Sequence, residues 1–223
     1  MKTIFTRRLF VSLLLIILLA ACVPATPLPP TATPAPSGIT LTDNQDRNIT
    51  LPTAPQRIIS LAPSNTEILF AIGAGDNVVG VTSYCDYPAE AQKLPQIGGF
   101  SAKTISIESI IALKPDLVVA YGSQQTSVVQ ALDENHIPVM VIAPHSFDDI
   151  YASITLLGQA TGHDVEAEKL VGSMKARVAA VAEKTAAIPN EERPTVFWEV
   201  FDEPLMTAST QTATGQMIEL AGG

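Results

Sequence analysis

Residue types able to do covalent chemistry are sparse in this 223-residue chain, and their spacing argues against catalysis. The three histidines, His136, His145 and His163, stand apart from one another and from the two cysteines, Cys22 and Cys85, so none shares the spacing of a metal-ligand pair. No G-x-S-x-G elbow, Walker loop or C-x-x-C pair occurs. Gly73-Ala74-Gly75 is too short for a dinucleotide fingerprint and follows a helical pattern rather than a strand. Cys85, within Tyr84-Cys85-Asp86-Tyr87, has no histidine close in sequence to activate it, so it reads as an inert thiol. The expectation is a protein that is not an enzyme and carries no metal or cofactor of its own.

Binding chemistry is better represented. Aromatic residues make up only 5% of the chain, yet Tyr84, Tyr87, Phe100 and Tyr121 all fall in predicted loops. At the carboxyl ends of parallel strands such rings line the rim of a cleft, offering flat contact area with a polar tip to a planar or bulky ligand. Ordinary loop packing is the alternative for each. Glu67 is ambiguous in the same way. Ser64 lies three residues before it, which is capping-box spacing, so the carboxylate reads first as a helix cap and second as an outward-facing group.

The elements that must position these residues begin at Arg57. Ile58 to Leu61 is a short apolar run between Pro55 and Pro63, and Ile68, Leu69, Ala71 and Ile72 follow at helical spacing until Gly73. The turn at Pro63-Ser64-Asn65 therefore sits where open α/β sheets bind ligands. Further strands are predicted at Val78–Val81, Leu117–Ala120 and Val139–Ile142. A short helix is expected to open at Pro88, with others over Ser106–Leu113 and Thr126–Asn135. Alternating strands and helices imply a parallel sheet. Longer helices are predicted over Ser146–Ala160, with Asp149 three residues after Ser146, and over about 164–187, with a stripe of Leu170, Met174, Val178 and Val181. A new strand is expected over Thr195–Val200, a loop over Phe201–Thr212 and a helix over Gly215–Leu220. Ahead of the sheet, Ile39–Asp43 and Arg47–Leu51 alternate as a β-hairpin.

The amino terminus has its own logic. Lys2, Arg7 and Arg8 precede an apolar run from Leu9 to Leu19, which is short for a bilayer span of roughly 20 residues. The run ends in Leu19-Ala20-Ala21-Cys22, which resembles a bacterial lipobox with Cys22 as the lipidated residue. Residues 23–37 are rich in Pro, Ala and Thr and read as an extended spacer. The formal charge is −9, and removing Lys2, Arg7 and Arg8 leaves 10 basic against 22 acidic side chains. That balance argues against a nucleic-acid partner. The expected segments are a signal peptide (1–21), linker (22–37), hairpin lead-in (38–56), first α/β lobe (57–145), connecting helices (146–189) and a partial second lobe (190–223).

The run RIISLAPSNTEILFAIGAGDNVVG from Arg57, followed by VTSYCDYPAEAQKLPQIGGFSAKTISIESIIALKPDLVVAYGS, resembles the iron-siderophore and vitamin B12 periplasmic-binding family. The S-Y-x-D-Y-P and A-L-K-P-D-L-V segments carry the match, which extends from Arg57 to Gly223. The resemblance implies an α/β protein of two lobes with parallel sheets and a long connecting helix, the second lobe being truncated here. It implies that Tyr84, Phe100 and Tyr121 face a ligand held between the lobes, with Val200 and Phe201 contributing from the other side. Members that bind vitamin B12 typically carry tryptophan at the places of Phe100 and Tyr121. It further implies that Glu67, in SNTEI, and Glu219, in MIELAGG, dock onto arginines of a membrane permease. The expected function is a lipid-anchored, extracytoplasmic substrate-binding component of an ABC importer. Cobalamin is the first-choice ligand and a ferric siderophore or haem the second. The alternative is a surface-tethered scaffold lipoprotein that transports no small molecule.

Overall fold

A computed structural model describes residues 38–223. The expected signal peptide, the linker and Cys22 lie outside the described residues.

The described residues open with the expected hairpin, β1 (Ile39–Thr42) paired antiparallel with β2 (Asn48–Leu51). Its turn is held by Asp43, whose Oδ1 accepts the N–H groups of Gln45 and Arg47 at 2.9 and 3.0 Å. The same carboxylate reaches a sheet edge through Oδ2, which accepts the Val141 N–H at 3.0 Å. Asn44 N–H in turn donates to the Val141 carbonyl at 3.1 Å. The hairpin turn thus covers groups that an edge strand would leave open to another chain.

That sheet is four-stranded and parallel, in the order β4 (Val78–Val81), β3 (Ile58–Ser60), β5 (Leu117–Tyr121), β6 (Val139–Ile142). Side chains alternate between two apolar layers, as strand geometry requires. Ile58, Leu117, Val119, Met140 and Ile142 enter one layer, and Ile59, Val118, Ala120, Val139 and Val141 the other. Both faces are covered, which is why these strands read as continuous apolar runs. Helix α1 (Pro63–Ala71) supplies Leu69 to the first layer. Helices α2 (Ile107–Ala112) and α3 (Thr126–Glu134) supply Ile110, Val128, Val129 and Leu132 to the second. Helix α4 (Phe147–Thr161) begins with a complete Ser146/Asp149 capping box and ends at Gly162 in the left-handed region, φ 75°. Helix α5 (Asp164–Thr185) packs so closely on α4 that a Cβ on Gly158 would fall 2.5 Å from that of Ala167. Leu170 and Met174 still pack on the first layer, whereas Val181 is exposed. A second hairpin, β7 (Glu199–Asp202) with β8 (Leu205–Thr207), and helix α6 (Ala213–Leu220) complete the described chain. No helix among the described residues is long and apolar enough to cross a membrane.

Three local expectations are corrected. The Ser64–Glu67 capping box does not form: Ala62 is the N-cap of α1 and Pro63 its first residue, which puts Ser64 inside the helix. Proline is favoured there because its missing N–H has no intrahelical partner to lose. The helix expected from Pro88 is a single 3-10 turn at Ala91–Lys93. Leu94 precedes Pro95 and is held extended, which ends the turn. The strand expected over Thr195–Val200 starts only at Glu199, and the loop expected over Phe201–Thr212 contains β8. Pairing decides this boundary: the register runs from Glu199 opposite Thr207 to Asp202 opposite Leu205, and residues 195–198 have no strand beside them.

Candidate functional site

The parallel strands deliver their exits to one edge of the sheet. β3 leads through Leu61 into α1, β4 into the Thr82–Pro88 loop, and β5 ends at Tyr121 itself. Tyr84, Phe100 and Tyr121 share an open hollow of about 800 Å³ there, together with Ala62, Pro63, Ser64, Glu67, Ser101 and Thr104. The Phe100 and Tyr121 rings lie 5.7 Å apart between centroids and are inclined at 51°, a favourable tilted pair. Tyr84 is 63% exposed, and its Cε2 would stand 3.7 Å from a Cβ on Gly99, so its ring lies beside the glycine backbone. The hollow therefore has an aromatic wall and a rim of hydroxyls, with one carboxylate on it. Large, flat, accessible rings beside a few polar groups suit non-covalent capture of a bulky ligand.

Glu67 sits on α1 and is exposed. With Ala62 as the N-cap, its carboxylate is free of the expected capping role and faces the hollow's rim. Helix α1 stops where Gly73, at φ 87°, lets its N–H reach the Phe70 carbonyl at 3.1 Å while Ala74 N–H reaches Leu69 at 2.8 Å. That is a Schellman arrangement.

The remaining sequence-derived candidates lie elsewhere. Val200 and Phe201 are on β7, both more than half exposed, and do not line the hollow. Tyr87 is 67% exposed and is also outside it. Glu219 is exposed on α6 and lines a different cavity of about 730 Å³ formed with α4 and α5, near Lys175 and Arg193. Cys85 is buried, and its sulfur takes contacts of 3.2 Å from the hydroxyls of both Thr66 and Thr82. His163 is engaged by Thr161 through Nδ1 at 3.0 Å. No cluster of metal-binding side chains occurs among the described residues.

Two residues beneath the hollow escape sequence reasoning. Gln125 is wholly buried, with Oε1 accepting the Tyr121 N–H at 2.8 Å and Nε2 donating to the carbonyls of Leu61 and Phe100 at 2.9 and 2.8 Å. Asn65 is buried as well, and its amide nitrogen lies 3.1 Å from the Ala120 carbonyl. A polar amide at the exit of a buried strand is the only signal available for Gln125. Gln124 carries the same signal and is exposed.

Known proteins resemble the chain as follows. Residues 58–223 match the family model described as periplasmic binding protein. An uncharacterized ABC transporter substrate-binding lipoprotein of Bacillus subtilis is 35% identical over 187 residues, covering 82% of this chain and 59% of the relative. A vitamin B12-binding protein of Pectobacterium carotovorum is 35% identical over 170 residues, covering 75% and 60%. The chain thus spans about 60% of the length of these relatives. Among solved structures, a possible iron-binding, periplasmic solute-binding protein of Staphylococcus epidermidis superposes with a TM-score of 0.67 at 31% identity, covering 77% of this chain and 67% of that one. A periplasmic heme-binding protein from Roseiflexus superposes with a TM-score of 0.66, also at 31% identity, covering 75% and 64%.

Proposed function

Because the chain belongs to the periplasmic binding protein family, we propose that it is the lipid-anchored, substrate-capturing component of an ABC importer for a metal-chelate ligand. Cobalamin is the first choice, and haem or a ferric siderophore the second. One observation carries this reading: Tyr84 and Phe100, 16 positions apart in the connection that follows β4, meet Tyr121 from the end of β5 on one hollow of about 800 Å³. A cavity of that size lies within the range of small-molecule sites, and stacked or tilted rings suit a corrin, a porphyrin or a catecholate. Relatives that are named for binding vitamin B12 or heme support the ligand class.

In this reading the protein transforms nothing. The chain offers rings and hydroxyls to the ligand and carboxylates to the transporter. Cys22 carries the lipid, residues 23–37 space the domain from the bilayer, and the protein works on the outer side of the membrane. Glu67 and Glu219 are the docking points for permease arginines. Val200 and Phe201 reach the ligand from the second lobe.

The test is titration of the full-length gene product with cyanocobalamin, haemin and several ferric siderophores, followed by quenching of tyrosine and Trp198 fluorescence. Sub-micromolar binding of one probe is the expected result. Failure of all of them to bind would favour the scaffold lipoprotein instead.

A further inference from the structure

We infer that Gln125 is a positioning residue for the aromatic wall, acting through the backbones of Phe100 and Tyr121. The inference rests on the reading of that hollow as the ligand's wall.

The Gln125 side chain is fully used. Its one oxygen takes the Tyr121 N–H, and its two amide hydrogens go to the carbonyls of Leu61 and Phe100, all within 2.9 Å. The orientation of the amide is set by its partners. Turned over, it would place N–H against N–H and a lone pair against two carbonyls. The three partners belong to three chain segments: the exit of β3, the loop after β4 and the end of β5. A single buried side chain therefore ties together the pieces from which the wall is built.

Phe100 depends on this tie most. Its carbonyl bond to Gln125 is the one hydrogen bond its backbone makes among the described residues. Two glycines precede it, Gly98 at φ 115° and Gly99, and the residue after it, Ser101, is exposed. The flanking backbone is pinned, with the Gly98 carbonyl taking the Ser83 N–H at 2.8 Å and the Ser101 carbonyl taking the Thr104 N–H at 2.9 Å, so Gln125 fixes the peptide between these points and with it the Phe100 ring at its 5.7 Å separation from Tyr121. Gln125 is wholly buried and does not line the hollow. Its influence on a ligand must pass through the rings.

The test uses Gln125→Met in the full chain, with Gln125→Glu as the second variant. The first readout needs no ligand. Native-state hydrogen exchange of the Tyr121 amide should accelerate at least tenfold relative to the Leu61 amide, which donates to the Val119 carbonyl at 2.9 Å within the sheet. A merely structural role would speed both by the same factor, and that result overturns the inference. Gln125→Glu keeps an acceptor for Tyr121, so there the Tyr121 amide should stay protected. The second readout is a double-mutant cycle with cyanocobalamin and haemin. The Kd of whichever probe binds the wild type should rise at least fivefold in Gln125→Met, and should rise by a clearly smaller factor when that change is added to Phe100→Ala, where only the route through Tyr121 remains. Additive effects would mean that Gln125 does not act through the ring, which also overturns it. If the Tyr121 amide is selectively exposed but neither these two probes nor the ferric siderophores bind the wild type, positioning of the rings stands and the metal-chelate reading falls.

Discussion

At the scale of single residues, the structure separates two tyrosines that the sequence places on an equal footing. Tyr84 and Tyr87 occupy the same loop, three positions apart, and both are well over half exposed. Only Tyr84 lines the hollow with Phe100 and Tyr121. Its ring rests beside Gly99, where a side chain on the glycine would also collide with Thr104, at 2.6 Å from its hydroxyl oxygen. Tyr84→Ala should therefore raise the Kd for whichever proposed probe binds the wild type about tenfold, the equivalent of about 1.4 kcal/mol of lost ring contact. Tyr87→Ala should leave it unchanged. Titration of the two variants with the probe that binds wild type checks this, and equal losses in both would place the ligand across the whole loop rather than in the hollow. Glu67 shows the same resolving power. Its spacing from Ser64 suggests a cap, but Pro63 occupies the first helical position and moves the cap back to Ala62.

At the scale of elements, helix α4 gives the clearest case of sequence dictating structure. Ser146 accepts the Asp149 N–H at 3.2 Å, while Asp149 Oδ2 accepts the N–H groups of His145 and Ser146, each at 3.0 Å. The His145 N–H, followed by the Ser146 hydroxyl, holds the Asp149 carboxyl below its ordinary range. The unfolded chain then takes up this proton at a higher pH than the folded one does. The contribution is complete above the usual aspartate range and is lost as pH falls through the lowered folded value. Asp149→Asn should lower stability by about 1 kcal/mol at neutral pH, a cap-sized effect kept modest by solvent exposure. The gap between variant and wild type should close on acidification below the usual aspartate range. Thermal melts across pH measure this, and a gap independent of pH would remove the charged carboxylate from the account. Elements with local instructions of this kind, such as α4, the Asn48–Leu51 strand or the apolar runs of β5 and β6, were legible in the sequence. The elements that were not are set by partners distant along the chain. β7 extends only as far as β8 lies opposite it. Gln125 differs from Gln124 only in what surrounds it, and no local pattern encodes three carbonyl and amide partners drawn from positions 61, 100 and 121.

At the scale of the whole molecule, the proposed capture and delivery would place different demands on the two exposed glutamates. Glu67 lines the aromatic hollow, so in the proposed reading its charge would be felt by a bound ligand as well as by a docking partner. Glu219 lines a separate cavity against α4 and α5, where the Arg193 guanidinium also bonds the Thr185 carbonyl at 3.3 Å. The Thr185 hydroxyl donates to the Leu220 carbonyl at 2.7 Å, which joins the ends of α5 and α6 and fixes the helix bearing Glu219. The two positions should therefore behave differently on charge reversal. Glu219→Arg should reduce uptake in cells about tenfold and leave ligand Kd unchanged, because a like charge set against a permease arginine opposes association. Glu67→Arg should reduce uptake by a similar factor and also shift Kd. Raising salt should weaken docking of the wild type more than that of either variant, since exposed charges are screened over about 10 Å at 0.1 M ionic strength. Cys22→Ala separates anchoring from docking: uptake should fall because the protein leaves the membrane fraction, whereas both glutamate variants should remain in it. Wild-type uptake by Glu219→Arg, with the protein correctly localised, would remove α6 from the docking surface and leave Glu67 without a counterpart.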